Sequence, residues 1–197
     1  MRLTTQAHSS PRGLLANFQR HQPFPLAYDA MKNPRIDKAD IYEILKKYRV
    51  GRHPKVISEQ LFKNFAQLES DQWSNALKQC NRLREPQPRD IEASVADYLK
   101  KTLIGIGPKQ ARNILQALYL TRYEIPIDSR VMNWLNRKLS FPFIITSNAL
   151  SDPSVYNLIL DGICALCEEC KIFQCLLDAA IFGAGDQDDW DDELQRY

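Results

Sequence analysis

The sequence predicts an all-α fold, and three observations carry that expectation. Glycine is scarce, seven in 197 residues, which disfavours an architecture built on many tight turns. Apolar residues recur at helical spacing along most of the chain. The one β-like run, SFPFIITSN at residues 140–148, carries Pro142, which confines it to a loop or a sheet edge.

The elements follow in order. KADIYEILKKY sets Ile41, Ile44, Leu45 and Tyr48 on one helical face, and VGRHP breaks it. PKVISEQLFKNFAQLE starts with proline and continues the stripe through Ile57, Leu61, Phe65 and Leu68. Ser70 is the expected N-cap of DQWSNALKQCNRLR, and EPQP is a linker. RDIEASVADYLKKT lines up Ile91, Val95, Tyr98 and Leu99, and PKQARNILQALYL lines up Ala111, Ile114, Leu115 and Leu118. DSRVMNWLNRKL offers Val131, Leu135 and Leu139. SDPSVYNLILDGICALCEEC opens with a cap and a proline, and FQCLLDAAIF closes the series. Trp73 and Trp134 are expected in the core, and His8, His21 and His53 on the surface. The segment 183–197, GAGDQDDWDDELQRY, reads as an acidic tail.

Composition narrows the function classes. No stretch approaches the roughly 18 apolar residues that span a bilayer, and the first fifteen residues have no apolar core of a signal peptide. A soluble monomer is therefore expected. Five cysteines, an odd number, fit free thiols in a reducing compartment such as cytoplasm or nucleus. The formal charge of +2 hides an asymmetry. Residues 1–150 hold 24 Lys and Arg against 13 Asp and Glu, whereas residues 151–197 hold 2 against 11. A basic body suits a polyanionic partner, because phosphates are bound through Lys and Arg with counterion release; the plain alternative is a solvated charged face.

The most informative stretch is LIGIGPKQARNIL, residues 103–115. One helix ends near Thr102 and another begins at Pro108, so Leu103 to Gly107 form the turn between them. Gly105 and Gly107 can take positive φ and let another backbone come close. The first N–H groups of the second helix lack intrahelical partners, and the helix dipole adds positive potential. Such a turn, with Gly105, Ile106, Gly107 and Gln110, offers donors to an anion. It is not a P-loop: one residue separates the glycines, and Gln110 rather than Ser or Thr follows Lys109. A dinucleotide fingerprint would need a strand before it and a third glycine. A clamp on one nucleic-acid phosphate fits better.

LIGIGPKQARNIL resembles the helix-hairpin-helix of the DNA glycosylases, whose usual form is L-P-G-[VI]-G-x-K-x-A. IPIDSRVMNWL is similar to the V-D-x-H-[VI] segment that follows in that superfamily. Lys109 and Asp128 are 19 residues apart, similar to the separation in its bifunctional 8-oxoguanine and endonuclease III branches. CLLDAAIFGAG weakly resembles the ending of the small 8-oxoguanine glycosylases. Ile104 stands for the usual proline, and Arg130 for the usual histidine after the aspartate. The resemblance implies a helix-hairpin-helix glycosylase fold with two helical subdomains flanking a cleft. Residues 38–139 would form one, with the hairpin at about 91–120, and residues 1–37 with 140–197 the other. It implies double-stranded DNA with a damaged base as partner. It also places a monovalent or divalent cation on the carbonyls of Lys101, Leu103 and Ile106. Phe182 falls where the family often has an aromatic near the base pocket; a core aromatic on the last helix is the other reading.

The chemistry stands beside the family. A neutral amine attacking C1′ of a deoxynucleotide displaces the base and leaves a Schiff base, which permits strand cleavage by β-elimination. Lys109 lies in a first helical turn, where the dipole disfavours the ammonium, and a base-flipping pocket would desolvate it. Asp128 could stabilise the cationic sugar or assist proton transfer. Lys109 could also simply pair with DNA backbone, and Asp128 could be a helix N-cap, a role compatible with catalysis. The leading expectation is a bifunctional DNA glycosylase and AP lyase for an oxidised purine such as 8-oxoguanine. The alternatives are a non-catalytic DNA-binding protein and a same-fold glycosylase for another lesion.

Cys164, Cys167, Cys170 and Cys175 form C-x2-C-x2-C-x4-C. The iron–sulfur site of the endonuclease III branch has C-x6-C-x2-C-x5-C, which this spacing does not match. Ile163, Cys167 and Cys170 instead read as a core stripe, so core packing is the leading expectation, a bound cluster or zinc the other, and no cofactor is required.

Overall fold

The computed structural model describes residues 17–18, 20–32, 36–51, 53–139 and 142–185, with only the backbone of Leu68. His8, Trp190 and the acidic run from residue 186 onward lie outside the described residues. Among the described residues the chain is all-helical, with no strand. The helices are α1 (Tyr28–Met31), α2 (Lys38–Lys47), α3 (Pro54–Gln67), α4 (Trp73–Asn81), α5 (Arg89–Thr102), α6 (Pro108–Ala117), α7 (Ser129–Arg137), α8 (Pro153–Glu169) and α9 (Gln174–Gly185). No helix is long and apolar enough to cross a membrane.

Local chemistry sets most boundaries. Asp37 caps α2 in a reciprocal capping box with Asp40. Asp152 accepts the Ser154 N–H at 2.7 Å, and Pro153 occupies the first position of α8. The break between α3 and α4 falls at Ser70, as expected, but by another route. Ser70 is extended, its carbonyl takes the Trp73 N–H, and its hydroxyl donates back to the Gln67 carbonyl. Helix α6 stops three residues earlier than the apolar pattern suggests. Tyr119 adopts φ 58°, and Leu120 N–H returns to the Leu115 carbonyl, so Leu118 leaves the buried stripe and is exposed. The run at 142–148 is loop. Residues 183–185, expected as the start of the acidic tail, belong to α9, which continues through Gly185.

The chain divides into two compact units: Met1–Gln79 with Lys101–Ile106, and Cys80–Lys100 with Gly107–Tyr197. This differs from the division expected from sequence, and the cores explain why. In the first unit, Phe18 packs with Ile41, Leu45, Tyr48 and Val50, and Phe24, Leu26, Met31 and Ile36 lie against the same core. In the second, Ile125, Ile127, Val131 and Leu135 share one core with Tyr156, Ile159, Leu160, Ile163, Cys164, Cys167 and Ile181. The segment after the hairpin therefore belongs with α8 and α9.

Two side chains depart from the expected burial. Trp73 is 41% exposed and stacks on Tyr28 at 6.1 Å, whereas Trp134 does pack against the second core. Cys170 is exposed at the end of α8, so the cysteine stripe ends at Cys167. Burial pushes the Cys164 thiol up to about 11 and raises Cys167 and Cys175 as well. Among the described residues no group of His, Cys, Asp and Glu is placed to hold a metal ion.

Candidate active site

The turn after α5 is held from within the first unit. Asn64, buried on α3, donates its Nδ2 to the Ile104 carbonyl at 2.9 Å and accepts the Ile104 N–H on Oδ1 at 2.7 Å. A side-chain amide thus satisfies both backbone groups of one turn residue, where a strand neighbour would do so in a sheet. Gly105 follows at φ 79°, the left-handed region that favours glycine. Gly107 differs from expectation: its φ is −90° and ψ −178°, extended backbone open to any residue. It caps α6 without a side-chain hydrogen bond, Pro108 takes the first position, and Lys109 and Gln110 the next two. The N–H groups of Lys109 and Gln110 are therefore left uncapped by any side chain of residue 107. Gln110 lies back over Gly107, its Oε1 3.0 Å from where a Cβ would stand.

The two glycines predict different outcomes. Gly105→Ala should destabilise the protein by about 1–2 kcal/mol, the cost of a left-handed L-residue. The added Cβ meets only the flexible end of Gln60, so strain outweighs collision. Gly107→Ala should leave stability nearly unchanged but weaken binding to lesion and plain duplexes by a similar factor, because phosphates carry no sequence information. Denaturant unfolding reads the first, and fluorescence titration at fixed salt reads the second. Unchanged binding by Gly107→Ala would leave the turn with a packing role alone.

Of the carbonyls of Lys101, Leu103 and Ile106, expected to hold a cation, that of Leu103 already accepts the Ile106 N–H across 3.4 Å; the neighbouring Ile104 carbonyl, not one of the three, is occupied by Asn64. A carbonyl has two lone pairs, so this bond leaves Leu103 one further acceptor position.

Lys109 is exposed on the first turn of α6, and Asp128 caps α7. The Asp128 Oδ1 accepts N–H groups from Arg130 at 2.8 Å and Val131 at 3.1 Å. Its Oδ2 takes the Arg130 side chain, Nε and Nη2 each at 3.1 Å. Arg130 in turn lies 3.9 Å from the centroid of Phe182 on α9, so one face of the proposed base-pocket aromatic carries a guanidinium. One turn before Phe182, Asp178 accepts from Gln116 Nε2. Burial raises the Asp178 carboxyl above its ordinary value, against the pull of Gln116; Asp128 pushes it further up and Arg130 opposes.

What relates Lys109 to Asp128 is a buried polar brace in the second unit. Arg112, one turn after Lys109, donates to the Pro108 carbonyl at 3.2 Å, and its guanidinium pairs with buried Glu124. The same guanidinium lies 4.7 Å from the Tyr156 ring centroid. Tyr156 accepts the Ile127 N–H at 2.8 Å and donates to the Ile125 carbonyl at 3.1 Å, pinning the run that ends at Asp128. From α5, buried Glu92 accepts the N–H groups of Arg122, Tyr123 and Glu124 and the Thr121 hydroxyl. Arg89 joins Glu124 at 3.3 Å to Asp161 at 2.6 Å. Burial raises the Glu124 carboxyl even against both arginines. The first turn of α6 and the residues before Asp128 are thus held by one connected set of side chains.

Sequence reasoning did not identify Asn64, Glu92, Arg112, Glu124 or Tyr156. The only signal available was a charge on an otherwise apolar helical face, as at Arg112 between Ala111 and Leu115. No protein-family model, curated protein or solved structure matches the chain.

Proposed function

We propose that this protein is a helix-hairpin-helix DNA glycosylase with AP lyase activity, acting on an oxidised purine of the 8-oxoguanine kind. The observation that carries the reading is the brace from Arg112 through Glu124 and Tyr156. It fixes a helical first turn bearing a lysine relative to a capped aspartate, next to a helix start whose N–H groups are free to meet a phosphate.

In this reading the turn at Gly105–Gly107 takes the DNA backbone. A cation on the carbonyls of Lys101, Leu103 and Ile106 would bridge to the same phosphate. The flipped nucleotide reaches Lys109. Its neutral amine forms a bond to C1′ as the C1′–N bond to the base breaks, and the base leaves with that electron pair and takes up a proton. Asp128 supplies negative charge beside the cationic sugar. Ring opening gives the Schiff base; loss of a C2′ proton then expels the 3′ phosphate. A panel of lesion-bearing duplexes, scored for base release and nicking with borohydride trapping, tests this, and no release from any lesion would sink it.

One observation favours a non-catalytic DNA-binding protein instead. Lys109 is exposed and Asp128 is fully engaged as cap and ion-pair partner, arrangements that serve structure alone. Asp128→Asn separates the two readings. Asparagine keeps the cap, so the fold should survive, whereas base release should slow on the order of 10²-fold as the charge is lost. Single-turnover rates near wild type would reduce Asp128 to a cap.

A further inference from the structure

Arg130, two residues after the cap, carries more than a departure from the family pattern. A carboxylate offers about four acceptor positions. In Asp128, Oδ1 takes two backbone N–H groups and Oδ2 takes Nε and Nη2 of Arg130. The guanidinium is not free to swing away at no cost. Its face lies against Phe182 at 3.9 Å, and its side chain is two-thirds buried, 34% exposed. Arg130 therefore ties the first turn of α7 to α9 while it engages Oδ2, the carboxylate oxygen that the cap leaves over.

Resting on the glycosylase reading above, we propose that Arg130 is a positioning residue for Asp128: with Phe182 behind it, it locks the carboxylate in one orientation, to act on the substrate by its charge rather than as a proton acceptor. The two roles that the sequence leaves open for Asp128 are separated by this contact. A carboxylate engaged in this way must give up one of these contacts before it takes a proton from a water or a base. Its negative charge still reaches a developing cation. The planar fork of arginine is what the site uses, since lysine supplies a point charge with neither the paired donors nor the face that stacks on a ring.

The test is single-turnover base release and duplex affinity for wild type, Arg130→Ala, Arg130→Lys, Asp128→Asn and the Asp128→Asn/Arg130→Ala double variant. Arg130→Ala should slow base release on the order of 10- to 100-fold, the size of effect that a misplaced group produces, with affinity unchanged. Arg130→Lys should recover part of the rate, and guanidinium ion added to Arg130→Ala should recover part of it too. The double variant should be no slower than Asp128→Asn, because Arg130 acts through that carboxylate. A double variant whose loss is the product of the two single losses overturns the proposal, as does an Arg130→Ala loss that lies wholly in affinity. A wild type that releases no base from any lesion overturns the glycosylase reading and this proposal together, and that outcome is recognised by the inactive parent.

Discussion

Lys109→Gln is expected to give no covalent protein–DNA adduct after borohydride reduction, while binding duplex DNA within about tenfold of wild type, because one phosphate-facing cation is only one part of the electrostatic footprint. The contrast follows from where the two functions sit. Covalent chemistry needs an amine, and Lys109 is the one amine on the first turn of α6. In the proposed reading, backbone capture uses the uncapped N–H groups of that turn, which glutamine leaves in place. Because the side chain is exposed, its replacement removes no packing and the fold should be unaffected. Retained strand cleavage by Lys109→Gln would end the Schiff-base assignment. Lost binding with lost trapping would mean that the lysine is a phosphate contact.

Arg112→Met is expected to cost about 3 kcal/mol, measured by denaturant unfolding. Removing one member of a buried ion pair strands the other, which ordinarily costs roughly 3–5 kcal/mol. The lower end applies here because Arg89 still reaches Glu124 at 3.3 Å, and because a stranded carboxyl can take up a proton. The same change loses the Pro108 bond and the Tyr156 stacking. Arg112→Met combined with Glu124→Leu should recover much of the loss, since replacing both members removes the uncompensated charge. A single variant as stable as wild type would show that the brace is not what holds the run before Asp128.

The helices were legible because amphipathic periodicity reports which face is buried. The spans at α2, α3, α5 and α8 are close to those read from the sequence, and Asp128 sits at a helix start, where its residue type suggested. What periodicity hides is buried charge. It treats Arg112 and Glu92 as solvent-facing, yet each is almost wholly enclosed, because its partners come from the loop at 121–124, distant in sequence. On α3 the apolar stripe of Ile57, Leu61 and Phe65 is only half buried, while Ser58 and Asn64 are the enclosed positions. Asn64 is buried for its hydrogen-bonding geometry toward Ile104, a contact forty residues away that no local pattern encodes. Gly107 departs from expectation for the opposite reason. Its residue type permits positive φ, but the cap of α6 demands only extended backbone. Arg130 looked like a defect in a motif until its guanidinium was placed between a carboxylate and a ring.

The amide of Asn64 has a consequence for how portable the hairpin is. In this chain the turn closes on itself only through the long Ile106–Leu103 bond: the groups of Ile104 are satisfied by a residue from another helix, and Gly105 stands where Gln60 of that same helix limits the space. A peptide cut out as residues 89–120 would carry both helices and every glycine of the motif, yet leave Ile104 to water. Grafted into another protein, the segment would bring its sequence without its shape. The transferable unit is the hairpin together with α3, and an evolutionary change at position 64 would register as loss of the turn even though no residue of the turn had altered.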